Sequence, residues 1–182
     1  GSIRVPAHYC GIWGHKPTFD VISLEGHGYP GTDSARPALS VCGPLARSAE
    51  DLATLLDVTL DHPLQRRNVS IRGGRFLLVD EQPMVGCSSA YRAELIEDAG
   101  GEVERRCELV PDLEAAHESY LKMLNIAMAG GLPAPAGTQA TVRDWFDLCD
   151  IQARVYRQWR EVFDGFDFVL APVSATPAFP HH

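Results

Sequence analysis

The chain has 182 residues, 45% of them hydrophobic and 22% charged, with a net charge of −8. That length suffices for one core burying about 70% of the unfolded surface, and no apolar run approaches the ~20 residues that span a bilayer. An acidic surface repels phosphate backbones, which argues against nucleic acid as a partner.

The opening stretch, Gly1 to Phe19, packs three glycines and two prolines among apolar residues. So much backbone punctuation argues against an ordinary helix or strand and for a segment that holds one side chain in place. Ser2 carries a hydroxyl on that turn, while Pro6 and Pro17 fix φ and remove two backbone donors. Residues 20–43 continue as a glycine- and proline-rich loop, with Val21-Ile22 and Leu39-Ser40-Val41 as brief strands. A loop of this length in a compact domain is often functional.

A first helix is predicted from Ser48 as N-cap, with acidic residues behind it and Leu52, Leu55, Leu56 and Thr59 at helical spacing. Phe76-Leu77-Leu78-Val79 is a short continuous apolar run, the pattern of a buried strand. Ser88 or Ser89 caps a second helix with Tyr91, Leu95, Ile96 and Ala99 on its apolar face, stopped by Gly100-Gly101. Glu102–Val110 reads as the next strand, so strand, helix and strand form a parallel βαβ unit.

Pro111-Asp112 opens a helix along Leu113, Ala116, Tyr120, Leu121, Leu124 and Ala127. The longest helix runs from about Thr141 to Phe163, with Trp145, Leu148, Gln152, Val155, Tyr156, Trp159 and Phe163 as a mostly buried stripe. Phe166–Ala171 is the last strand, and the prolines from Pro172 to Pro180 prevent regular pairing beyond it. The fold class is α/β: a mixed, mainly parallel sheet flanked by helices, taken as one domain over 1–182.

Five widely spaced cysteines with no C-x-x-C fit neither a disulfide framework nor a structural zinc site, and a reducing cytoplasmic setting suits them. His8 and Cys10 do not make a metal site on their spacing, and the arginines at 66, 67, 72 and 75 read as a solvated loop. None of His8, His15, His27, His62 and His117 stands in a Ser-His-Asp setting. Glu102 and Glu104 share a strand face and read as solvated surface. Lys122 faces solvent on its helix, and Arg47 reads as a helix-start residue in a structural ion pair.

The run Gly-Ser-Ile-Arg-x-Pro-Ala-x-x-Cys-Gly-x-x-Gly-x-Lys-Pro-Thr resembles the downstream part of the amidase signature. Gly43-Pro44-Leu45-Ala46-Arg47 and Phe-Asp-Phe-Val-Leu-Ala-Pro-Val resemble later elements of the same family. The resemblance implies hydrolysis of carboxylic amides through a Ser-Ser-Lys triad with Ser2 as nucleophile. Gly1 and Arg4 would support the site around the oxyanion, with no cofactor and no metal. Lys16 lies in Lys-Pro-Thr, which is not the family's catalytic lysine. That lysine and the bridging serine belong to upstream segments, so the chain reads as a truncated family fold, inactive alone.

The resemblance further implies a small-molecule amide substrate, no membrane, and either a homo-oligomer or a complementing segment of the same enzyme. Two alternatives accompany it: a non-catalytic amidase-like fragment or pseudo-enzyme serving as a binding or assembly module, and an amidotransferase A-type subunit. The latter's Ser-Leu-Asp-Gln-x-Gly-Pro run is replaced here by Ala38-Leu39-Ser40-Val41-Cys42-Gly43-Pro44. Asp20 stands where the family usually has glycine, which implies a backbone turn with φ > 0 at that residue.

Overall fold

The computed structural model describes residues 2–27, 39–65, 69–80, 90–129, 140–174 and 176–180. The expected caps at Ser88 and Ser89 and the arginines at 66 and 67 lie outside these residues. The chain divides into two compact units, one of residues 1–67 with 173–182 and one of residues 68–172.

The first unit begins with a helix inside the punctuated opening, α1 (Arg4–Cys10), which corrects the expectation of irregular backbone there. Pro6 is the third helical residue, and the first four N–H groups of a helix lack intrahelical partners in any case. Gly11 ends the helix at φ 64°, its N–H reaching the carbonyls of Ala7 and His8. A two-stranded antiparallel ribbon follows, β1 (Trp13–Gly14) with β2 (Leu45–Ala46), in register Trp13↔Ala46 and Gly14↔Leu45. Val21-Ile22 and Leu39–Val41 form no strands.

Helix α2 (Ala49–Thr59) starts as expected, the Ser48 hydroxyl accepting from the Asp51 amide at 3.0 Å. Among the described residues Arg47 makes no ion pair, so the one expected of it is not formed. Arg47 is exposed, and its charge is hydrated there.

Asp20 has φ 68°, the left-handed conformation the family comparison implies. A residue with a Cβ is strained there by roughly 1 kcal/mol, and aspartate recovers part of this through local hydrogen bonds. Asp20→Gly is therefore expected to stabilise the fold by a few tenths to about 1 kcal/mol, partly offset by glycine's unfolded-state entropy. Denaturant melts of both variants measure this. An unchanged or lower midpoint would show that the aspartate side chain contributes more than the strain costs.

The second unit is built on a three-stranded parallel sheet of order β4-β3-β5. The central strand β3 (Arg75–Leu78) buries Phe76, Leu77 and Leu78, so the continuous apolar run is the core. It pairs with β4 (Glu102–Glu104) on one side and β5 (Phe168–Leu170) on the other. Phe76 is in register with Phe168, and their rings stack at 4.6 Å. Asp167 fastens the start of β5: its carboxylate accepts from the Arg75 amide at 3.0 Å, and its own amide donates to the Arg75 carbonyl.

Helix α3 (Ala90–Asp98) connects β3 to β4, which gives the expected parallel βαβ unit. The Gly100 and Gly101 amides close it onto Glu97 and Ile96. Among the described side chains of α3, Ala93 is buried and Leu95 is exposed, because a helix against so narrow a sheet covers only a thin stripe, and Tyr91 of the expected apolar face lies outside them. The strand expected over 102–110 stops at Glu104, since β3 offers only Arg75, Phe76 and Leu77 to pair with it. Glu102 and Glu104 point to solvent, as expected.

Helix α4 (Leu113–Ala129) buries Met123 and leaves Tyr120 and Leu121 partly exposed. Helix α5 (Val142–Gly165) is fixed by a capping box between Thr141 and Asp144. It buries Leu148 and Val162, while Tyr156 and Phe163 of the expected core stripe are open to solvent. A helix packed on one main side buries one stripe, and these rings fall outside it. No helix among the described residues is long and apolar enough to cross a membrane.

Candidate active site

Within the first unit, Ser2 and Ile3 form a turn that leads directly into α1. Ile3 occupies the N-cap and supplies no side-chain cap, although its carbonyl accepts from the Ala7 amide at 3.1 Å. Ser2 is exposed, and among the described residues it makes no side-chain hydrogen bond. Its hydroxyl thus has no structural partner here. Gly1 lies outside the described residues.

The ribbon sits tightly on α1. A Cβ on Gly14 would lie 2.7 Å from the Ala7 Cβ and 3.1 Å from the Ile3 carbonyl. On Gly43 it would collide with the His15 carbonyl oxygen and come 2.8 Å from Pro17 Cδ. Ala7 is itself fully covered. Gly14 of the opening motif therefore lets β1 close onto α1, and Gly43 lets the segment before β2 close onto His15 and Pro17. The His15 amide donates to the Pro44 carbonyl at 3.0 Å, extending the ribbon by one more contact.

Three cationic or titratable groups come together on this face. The Lys16 ammonium donates to the Pro17 carbonyl at 2.8 Å. Partial burial, and then the positive charge of Arg4, hold the Lys16 pKa below that of a free lysine. His15 is likewise held below the ordinary histidine value, first by burial and then by the charge of Lys16. Arg4 is exposed on the first turn of α1. Lys16 is thus within electrostatic reach of both Arg4 and His15, and all three side chains remain exposed.

The other end of α1 is held by the chain's last described segment. The Tyr9 hydroxyl lies 3.3 Å from the Ser174 hydroxyl, and the Tyr9 ring meets Phe179 edge-on at 5.4 Å. Hydrogen bonds from Ser174 and Thr176 hold the Tyr9 pKa below its usual value. His8 Nε2 is 3.2 Å from the Thr176 carbonyl. These contacts join residues about 165 positions apart, and only the proline-rich character of the tail hints that it lies against something.

The second unit carries an open cleft of about 850 Å³ around the carboxyl end of β3, with Asp80, Arg106, Cys107 and Asp112 in its wall. None of Ser2, Arg4 and Lys16 lines it. Among the described residues no three His, Cys, Asp or Glu side chains are grouped so as to hold a metal ion.

Residues 1–71 match the family model described as Amidase. A Mycobacterium bovis protein named as an amidase, AmiB2, is 52% identical over 63 residues, which cover 35% of this chain and 13% of that protein. Fatty-acid amide hydrolase 2-A of Danio rerio is 40% identical over 58 residues, 32% of this chain and 11% of its own length. The A-type subunit of the Roseiflexus glutamyl-tRNA(Gln) amidotransferase is 24% identical over 238 residues, 99% of this chain and 48% of that protein. The chain therefore spans at most about half the length of these curated relatives.

Proposed function

We propose, from the match of residues 1–71 to the family model described as Amidase, that this chain belongs to the amidase signature family and is the nucleophile-bearing part of a carboxylic amide hydrolase. Ser2 Oγ would attack the amide carbonyl carbon while its proton passes to a base. The tetrahedral intermediate would then release the amine, protonated as the C–N bond breaks, and leave an acyl-serine that water hydrolyses to the acid. The observation that carries this reading is the ordered motif itself, with Ser2 exposed and unengaged at the head of a helix packed closely on the ribbon.

The base and bridging serine of a Ser-Ser-Lys arrangement are read as coming from sequence outside these 182 residues. Lys122 is exposed on α4 in the second unit, and Lys16 already donates to Pro17 within the motif. Gly1 and Arg4 are read as supporting the oxyanion region. The two units belong, on this reading, to one amidase-like domain acting on a small-molecule amide in the cytoplasm, where the free cysteines stay reduced.

Similarity to the amidotransferase's A-type subunit, which extends over nearly the whole chain, favours a second reading in which the released ammonia serves a partner enzyme. Absence of the Ser-Leu-Asp-Gln-x-Gly-Pro run characteristic of such subunits ranks it second. Covalent capture tests the main reading. With the upstream segment restored, a serine-directed fluorophosphonate should label Ser2, as located by mass spectrometry. An adduct on a different serine would overturn the assignment, and glutamine as the preferred substrate would favour the second reading.

A further inference from the structure

Helix α5 turns Leu148 and Val162 into its own unit. At 100° per residue, Val142, Phe146, Cys149, Ala153, Tyr156 and Phe163 fall on a different stripe. Its large members are open to solvent: Val142 is 74% exposed, Phe146 63%, Tyr156 65% and Phe163 49%. Single exposed apolar residues are common on protein surfaces, but four lined up along one helix mark a contact surface. Val142, Cys149, Tyr156 and Phe163 recur every seven residues, and Phe146 and Ala153 follow the first two by four. That is the spacing of a helix–helix seam.

The charges beside this seam identify the occupant. Arg143, Asp150, Arg157 and Asp164 also recur every seven residues and alternate in sign. Against a second α5 running antiparallel, Arg143 stands opposite Asp164, and Asp150 opposite Arg157. Both pairs are centred on one point, between Ala153 and Arg154. A parallel arrangement in the same register would instead place each charge beside its own kind. Such a palindrome is what a two-fold axis requires of a self-complementary surface, and an unrelated partner would not require it.

We propose that the outer face of α5 docks a second copy of this chain as an antiparallel helix pair. The Arg143–Asp147 contact within one helix, 3.2 Å and exposed, is weak enough to rearrange or to be shared. Aromatic rings at the seam supply the buried area, and the flanking charges set direction and register.

Sedimentation velocity on the 182-residue chain should show a monomer–dimer equilibrium. Asp150→Arg enters a symmetric dimer twice, each time beside Arg157 of the other copy, and should weaken association about tenfold. Adding Arg157→Asp to it should restore the dimer. Ala153→Cys, next to the axis, should form an inter-chain disulfide between the two substituted positions under mild oxidation. A chain of unchanged helix content that sediments as a monomer at every concentration would overturn the proposal. So would a dimer unmoved by Asp150→Arg, because its interface must then lie elsewhere.

Discussion

Ser2→Ala should lower kcat for a simple aryl amide by about 10^4–10^6-fold in the enzyme that includes the upstream segment, with KM little changed. The magnitude follows from how nucleophile and base act as one unit. Removing the attacking oxygen costs about as much as removing the whole relay and leaves only positioning and oxyanion stabilisation. By the same argument, the 182-residue chain alone should show no more than residual turnover, with Ser2 present but no base assigned to it. The structure supplies a control for this experiment. Ser2 is exposed, and the N-cap of α1 is Ile3, so the substitution removes no structural hydrogen bond described here. Stability should therefore stay within about 0.5 kcal/mol of the parent. Lost activity with an unchanged melt would assign a chemical role to Ser2. Ser2-dependent turnover by the isolated chain would instead show that a base lies within these residues.

How far the sequence anticipates the structure depends on the range of the forces involved. Helix α2 is legible because its cap and its period are both local: the Ser48 hydroxyl reaches only to Asp51. The parallel pairing of β3 and β4 is legible because a strand, a helix and a strand in that order admit few other solutions. The turn at Asp20 comes through the family comparison, since composition alone does not distinguish a left-handed aspartate from any other. Leu39, at φ 74°, is not foreseeable, because leucine carries no signal for that conformation.

Misses cluster where a local rule meets a tertiary one. Pro6 and the glycines around α1 resemble breakers, yet the proline falls where no amide is needed and Gly11 is a stop. Strands β1 and β2 are two residues each, too short for any period to register, and they pair across more than thirty residues. The stripe on α5 is periodic as expected, but part of it faces solvent instead of the core. Periodicity shows which residues share a face without saying what covers that face. In the candidate site, Ser2, Gly1 and Arg4 rest on the motif, whereas the clasp of Tyr9 by Ser174 and the tight seat of Gly43 emerge only in three dimensions.

Gly43→Ala should be among the most damaging single-methyl changes in the first unit, costing about 2–3 kcal/mol. The added Cβ would collide with the His15 carbonyl oxygen while also pressing on Pro17 Cδ at 2.8 Å and Ile3 Cδ1 at 3.0 Å. A flexible side chain could swing away from such a clash. Here the nearest atom is backbone and the next belongs to a proline ring, so the His15–Pro17 segment and the Gly43-Pro44 segment must separate. That movement strains the His15 amide to Pro44 carbonyl bond and the two-residue ribbon, which has no further pairs to absorb it. Gly14→Ala meets a similar obstacle at Ala7 but has only a methyl and one carbonyl to displace, so it should cost less, about 1–2 kcal/mol. Gly26→Ala serves as the contrasting case: nothing lies within 4 Å of its added carbon, and only its φ of 76° opposes the change. Urea melts of the three variants should rank Gly43→Ala below Gly14→Ala. Because Ile3 adjoins Ser2, fluorophosphonate labelling of the restored enzyme should fall with Gly43→Ala and hold with Gly26→Ala. Equal stability of Gly43→Ala and the parent would show that the ribbon yields freely and does not seat the helix behind Ser2.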